Sequence, residues 1–112
     1  MSGRFVDYVT DQLAQVPNLR AKPMFGGHGL YAGEQFFAIV MNGRLYFKTD
    51  DTTRMNYVRR GMEPFIYEKA RRTMTIKYFE VPPEVLENRD ELTSWAAQAI
   101  RAANDKKSCR GQ

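Results

Sequence analysis

The chain has one cysteine and one histidine in 112 residues. Cys109 has no partner for an internal disulfide, so a reducing cytoplasm is the expected setting. With one His and one Cys, a His/Cys zinc site within the chain is excluded. His28 stands without a nucleophile elbow or an evident orienting carboxylate, which reads as a loop histidine and not a catalytic base. No apolar run approaches the ~20 residues of a membrane span. The N-terminus Met1–Asp7 reaches an acid by its seventh residue and has no apolar h-region, so a signal peptide is not expected. There is no internal repeat, no low-complexity tract and no linker. The length excludes a catalytic barrel or a two-domain dinucleotide enzyme. The expectation is one domain over 1–104 and a polar tail over 105–112.

What is present is ordinary for a globular domain: 43% hydrophobic and 27% charged residues, with a net charge of +4. Phe5, Val9, Leu13 and Val16 recur at helical spacing, with Ser2 as N-cap and Pro17-Asn18 as the stop. The period then changes. Strands are expected around Lys22–Phe25, over Gly29-Leu30-Tyr31, and on both sides of Asn42-Gly43, whose residue pair suits a type I′ hairpin turn. Ala32-Gly33-Glu34 is a second turn. Asp50 or Asp51 caps a short helix in which Met55 and Val58, with Tyr57 beside them, are expected to face inward and which Gly61 ends. Residues 63–68 and 73–80 read as two more strands. In the second, Met74, Ile76 and Tyr78 share one face and Thr73, Thr75, Lys77 and Phe79 the other. Pro83-Glu84-Val85-Leu86 makes one helical turn. Asn88 or Asp90 caps a last helix with the stripe Leu92, Trp95, Ala96, Ala99, Ile100 and Ala103. The order α-β-β-β(-β)-α-β-β-α predicts an α+β fold, a two-layer α/β sandwich on an antiparallel sheet of about five to six strands.

The chemical signals are sparse. Gly27-His28-Gly29-Leu30-Tyr31-Ala32 has the letters of a dinucleotide fingerprint, but a strand follows where a phosphate-binding helix is required. Gly26, Gly27 and Gly29 therefore read as a bend that uses positive φ or close backbone approach, and no cofactor is expected. Asp50-Asp51 reads as a cap and not a metal site, and the acids near Asp90 suit a helix N-terminus. The basic excess lies in the middle of the chain, with seven Lys+Arg against four acids over 51–80. Arg54, Arg59 and Arg60 on the second helix and Lys69, Arg71 and Arg72 at the hairpin turn form a candidate anion or nucleic-acid patch. Tyr57, Tyr67 and Tyr78 are the stacking candidates beside it. Both sheet faces carry apolar residues: Phe37 and Ile39 alternate with Phe36, Ala38 and Val40, and Tyr46 alternates with Leu45 and Phe47. A bare apolar face predicts a homodimer. The bland alternative is half-exposed rings packed on one another and on the Lys48 and Lys77 stems.

A series of segments resembles one family. Pro23-Met24-Phe25-Gly26-Gly27-His28-Gly29-Leu30-Tyr31 comes first, then Phe37-Ala38-Ile39-Val40 and Leu45-Tyr46-Phe47-Lys48-Thr49-Asp50. Gly61-Met62-Glu63-Pro64-Phe65-Ile66-Tyr67, Tyr78 to Leu86 and the Trp95-Ala96 helix follow. In this order they resemble the N-terminal domain of the TfoX/Sxy family over about Phe5 to Ala103. The resemblance implies a secretion-chaperone-like, YgaC-like fold and a bacterial role in regulating competence for DNA uptake. It implies a protein partner, with a CRP-type transcription activator as its type, and offers no catalytic residues. Competence regulators of this family also carry a C-terminal helical domain that this sequence lacks. The function expected is a non-enzymatic regulatory or adaptor domain acting through protein contacts, with a nucleic-acid-binding protein using the Arg/Lys patch as the alternative.

Overall fold

A computed structural model describes the backbone of residues 2–24, 27–69 and 72–110, and the side chains of 5–23, 27–65 and 77–104. The elements are α1 (Ser2–Gln12), β1 (Leu19–Met24), β2 (Gly27–Ala32), β3 (Gln35–Met41), β4 (Arg44–Lys48), α2 (Arg54–Val58), β5 (Pro64–Lys69), β6 (Arg72–Glu80), α3 (Pro83–Leu86) and α4 (Arg89–Arg110). The six strands form one antiparallel sheet in the order β1-β2-β3-β4-β6-β5. The predicted α+β, two-layer arrangement is therefore what the chain adopts.

Local chemistry sets the turns. Asn42 and Gly43 both have positive φ, 56° and 72°, as a type I′ turn demands. Gly33 at 63° and Gly61 at 75° occupy the same left-handed region at a strand turn and beyond α2. Asn18 at 57° turns the chain from α1 into β1, and its carbonyl accepts the Gly33 amide at 2.9 Å. Ser2, expected as the N-cap of α1, is instead its first helical residue. The helix ends at Gln12, before Pro17, and Leu13–Val16 close it as turns.

One face of the sheet is covered by helices. Val6, Val9, Leu13 and Val16 of the N-terminal segment meet Leu30, Phe37, Val40, Leu45, Phe47 and Phe79 of the strands. Leu92, Trp95, Ala96 and Ala99 of α4 complete this core. Ala102 is buried on α4 where Ala103, the expected stripe residue, is half-buried. The helix backbone continues to Arg110, past the residue 104 boundary read from the sequence. Asn88 caps α4, its Oδ1 accepting the Glu91 amide at 3.1 Å.

Two side-chain directions differ from expectation. Met55 and Val58, 40% and 45% exposed, face solvent, and Tyr57 alone anchors α2, edge-on to Trp95 at 4.8 Å. Met55 and Val58, at i, i+3 spacing, share one face, and α2 turns that face outward because Tyr57 packs on Trp95 and Phe79. Phe37 joins Ala38 and Val40 in the helix-side core, while Phe36 and Ile39 lie on the other face. The cause is a register shift between Leu30 and Tyr31: Leu30 pairs Ala38, Tyr31 pairs Phe36, and Phe37 is the extra residue. A bulge places two neighbours against one partner and breaks strict alternation.

Candidate functional site

The basic cluster was the sequence's main candidate, and its members have different fates. Arg54 and Arg59 are exposed on and just beyond α2. Arg60 turns toward the helical layer. Its guanidinium pairs with Glu84 at 3.2 Å and Glu91 at 3.8 Å, and sits 5.1 Å over the Trp95 ring. It ties α2 to α3 and α4. Lys69 and Arg72 face each other as register partners at the end of the β5–β6 hairpin. Their side chains, all of Arg71 and the Tyr67 side chain lie outside the described residues. Tyr57, proposed for stacking, is 3% exposed within the core, where burial pushes its phenol pKa well above 10. It is not available to a base.

The Gly-rich segment is a strand pair. Gly27 pairs Met24, Gly29 pairs Lys22 and Ile39, and Leu30 is fully buried in the core. Gly27 has no positive φ. A Cβ there would run into the Val40 carbonyl oxygen of β3, so it is close backbone approach that requires glycine. Phe25 and Gly26 lie outside the described residues. His28 is half-buried on β2.

Asp50 performs a local task. Its Oδ1 accepts the Thr52 and Thr53 amides at 2.9 and 2.8 Å, and its own amide donates to Thr53 Oγ1 at 3.0 Å. This reciprocal pair caps the turn into α2. The Thr53 amide, foremost, holds the Asp50 carboxyl below the usual carboxylate range. Asp50 also borders a cleft of about 180 Å³ with Thr49, Asp51, Arg54, Lys77 and Phe79. Among the described residues, no three His, Cys, Asp or Glu side chains are grouped as metal ligands.

The larger built feature is the sheet face turned away from the helices. Ile39, Phe65 and Tyr78 are buried there, with Phe36, Met41 and Tyr46 half-exposed around them. The rings cover one another. Tyr31 stacks on Phe36 at 5.2 Å and 28°, Phe36 meets Tyr78 at 5.5 Å, and Tyr46 meets Phe65 edge-on at 4.9 Å. Lys22 Nζ lies 5.3 Å over the Tyr31 ring, and Lys48 Nζ lies 5.2 Å over the Tyr78 ring. The Tyr78 hydroxyl donates to the Phe36 carbonyl at 3.3 Å, and burial, foremost, raises its pKa. Arg44 pairs with Glu80 at 3.2 Å beside Tyr46, whose phenol pKa is raised mainly by burial. Among the described residues, ring-on-ring packing and lysine side chains are what cover this face. Lys77, expected among those stems, borders the Phe79 cleft instead.

The sequence reading placed Phe36, Tyr46 and Tyr78 among the sheet's apolar residues and named Lys48 as a stem beside the rings, but missed Tyr31, Phe65, Lys22 and Arg44. The signal that could have found them is register: Lys22, Gly29, Ile39, Tyr46 and Glu80 are successive cross-strand partners along one row.

Among known families, the profile of the TfoX N-terminal domain matches residues 11–103. Protein Sxy of Escherichia coli (strain K12) is 25% identical over 100 residues, covering 89% of this chain and 48% of that protein. DNA transformation protein TfoX1 of Aliivibrio fischeri (strain ATCC 700601 / ES114) is 30% identical over 78 residues, covering 70% of this chain and 35% of that protein. The chain thus spans half or less of the length of these relatives. Among the described residues, no helix is long and apolar enough to cross a membrane.

Proposed function

The chain belongs to the TfoX N-terminal domain family, and on that premise we propose that it is a non-enzymatic regulatory domain for DNA transformation that works by holding a protein partner. The printed name of one relative, a DNA transformation protein, supports the process. The observation that carries the mode of action is the apolar, cation-bearing sheet face opposite the helices. An apolar face of this kind is a recognition surface before it is a reaction centre, because contact area and not a convergent acid–base pair is what it offers. The titratable groups best placed for chemistry have structural tasks: Asp50 caps a turn and Arg60 braces α2.

The test has two readouts. A strain lacking the chain should transform at reduced frequency. The tagged chain, captured from its native cells, should retain a protein partner after nuclease treatment. Capture of nucleic acid with no protein surviving nuclease would overturn this reading. It would favour the basic residues Arg54, Arg59, Lys69, Arg71 and Arg72 as a phosphate-binding patch, whose affinity falls steeply with salt.

A further inference from the structure

We propose that the cleft between the turn into α2 and strands β5 and β6 binds a free amino acid with an apolar side chain. Its carboxylate meets Arg54 and Lys77, its ammonium meets Asp51, and its side chain lies against Phe79 and Pro64. The site is separate from the sheet face assigned above to a protein partner.

The cleft follows from how the sheet is covered. The long α4 lies against β3 and β4, whereas only the short α2 and its entry turn reach β6 among the described contacts. The chain fixes the resulting gap with backbone restraints. The Thr49 amide and hydroxyl both donate to the Lys77 carbonyl, at 2.8 and 3.2 Å, and pin the turn to β6. Asp50 holds the turn itself. On the other side Pro64 pairs with Phe79, and the register shifts between Pro64 and Ile66. Such a bulge bends its strand and re-aims the side chains beside it. The Phe79 ring is braced from behind by Tyr57 at 5.8 Å.

Two properties choose the ligand. The first is size. The cleft holds about 180 Å³. A cavity of ~150 Å³ takes a benzene ring, and drug-sized ligands need ~300 Å³ or more. The space therefore suits one side-chain-sized group, and a mononucleotide is too large for it.

The second is charge. Asp51, Arg54 and Lys77 are exposed, and among the described residues their side chains form no ion pair, although Asp51 lies only three residues before Arg54. Arg60, just past the same helix, is paired with both Glu84 and Glu91. Both signs thus face one small space uncommitted. The amides of Thr52 and Thr53 are already taken by Asp50, so side chains and not the helix end supply the polar contacts. A phosphate ion would meet the two cations but would set its charge beside Asp50 and Asp51 and leave the Phe79–Pro64 wall unmatched. A zwitterion with an apolar side chain answers both signs and the wall together.

The test is a heteronuclear NMR titration of the purified chain with L-leucine, L-valine, L-methionine and L-phenylalanine, with thermal unfolding alongside. Isoamylamine is leucine without the carboxylate, isocaproate is leucine without the ammonium, and glycine lacks the side chain; inorganic phosphate probes a plain anion site. At least one of the four amino acids should give saturable shifts at the amides of 49–54 and 77–79 and a Tm that rises with its concentration. Glycine, phosphate and the two leucine analogues should bind more weakly by about tenfold or more. Arg54→Gln, Lys77→Gln and Asp51→Asn should each weaken binding severalfold. All three side chains are exposed, and circular dichroism checks that each variant folds. No saturable shift with any of the four at millimolar concentration overturns the proposal. So do shifts confined to other residues, isocaproate or phosphate binding as tightly as the amino acid, or an affinity indifferent to all three substitutions. Every readout uses the purified chain alone, so failure here leaves the protein-contact reading to its own capture and transformation tests.

Discussion

Gly27→Ala separates a structural glycine from a ligand-binding one. The added methyl would overlap the Val40 carbonyl oxygen, a backbone atom held in the β2–β3 ladder by the His28–Val40 pairing. Neither partner yields by a rotamer change, so strand β2 must shift. Overpacking of this kind costs about 1–3 kcal/mol, while the stiffer unfolded chain returns about 0.4–1. The net expectation is a loss of about 1–2 kcal/mol, a fall in Tm of roughly 4–12 °C for a domain near this size. Gly33 is the control. It has open space around its Cβ position but a φ of +63°, so its constraint is conformational. Gly33→Asn should be tolerated better than Gly33→Ala, since Asn accepts the left-handed region. At Gly27 both substitutions should destabilise, with Asn the worse. Thermal and urea unfolding followed by circular dichroism measures all four. A Gly27→Ala protein as stable as the parent would refute the steric argument. Saturable nucleotide binding by the parent, lost in a fully folded Gly27→Ala variant, would refute the structural assignment itself.

Two further expectations concern pH. Asp50 has a folded-state pKa depressed chiefly by the Thr53 amide, so its contribution is present above the unfolded value of about 3.9 and is lost as pH falls through the lower folded value. Below pH ~4 the urea midpoint of the parent should therefore fall more steeply than that of Asp50→Asn, which keeps the acceptor oxygen without the titration; parallel acid limbs would remove the linkage. Tyr57 and Tyr78 have folded pKa values raised by burial, so their stabilisation is complete below the unfolded value of about 10 and is lost as pH rises through the folded values. In an alkaline titration at 295 nm, Tyr57 and Tyr78 should ionise only as the fold is lost, and Tyr57→Phe with Tyr78→Phe should shrink that late phase by two phenols; a late phase of unchanged amplitude would refute the assignment.

What the sequence made legible follows the range of the interaction that decides it. The hairpin at Asn42-Gly43 and the turn at Gly33 depend on single residues that tolerate positive φ, and both appear where expected. The cap at Asn88 and the Val9–Leu13–Val16 stripe are equally local. The inward face of α2 was misread because Met55 and Val58 are the more hydrophobic residues, yet position decides. Tyr57 alone reaches Trp95 and Phe79, and the polar contact of Arg60 with Trp95, Glu84 and Glu91 closes the element around it. Strict alternation along β3 failed for a similar reason. The bulge that sends Phe37 into the core is a property of the β2–β3 pair, and β3 read alone carries no trace of it.

The candidate site lies at the far end of that scale. Lys22, Tyr31, Phe36, Tyr46 and Tyr78 belong to five different strands, and each is unremarkable in its own segment. Their meaning comes from register. Moving any one strand by a single residue would send its ring or cation into the helix-side core. The same property makes the surface specific. A partner that recognises this row recognises the paired sheet and not a linear motif, so unfolding β1 from β2 should abolish docking even with every residue still in the chain. The hydrophobic segments that carry the family resemblance supply the framework: Leu30, Phe37, Leu45 and Phe47 bury against the helices. On β2 and β4 the alternate side chains are left to the other face, and on β3 the bulge decides which are, so the pattern that specifies the fold, together with strand pairing, fixes where the chemistry of that face lies.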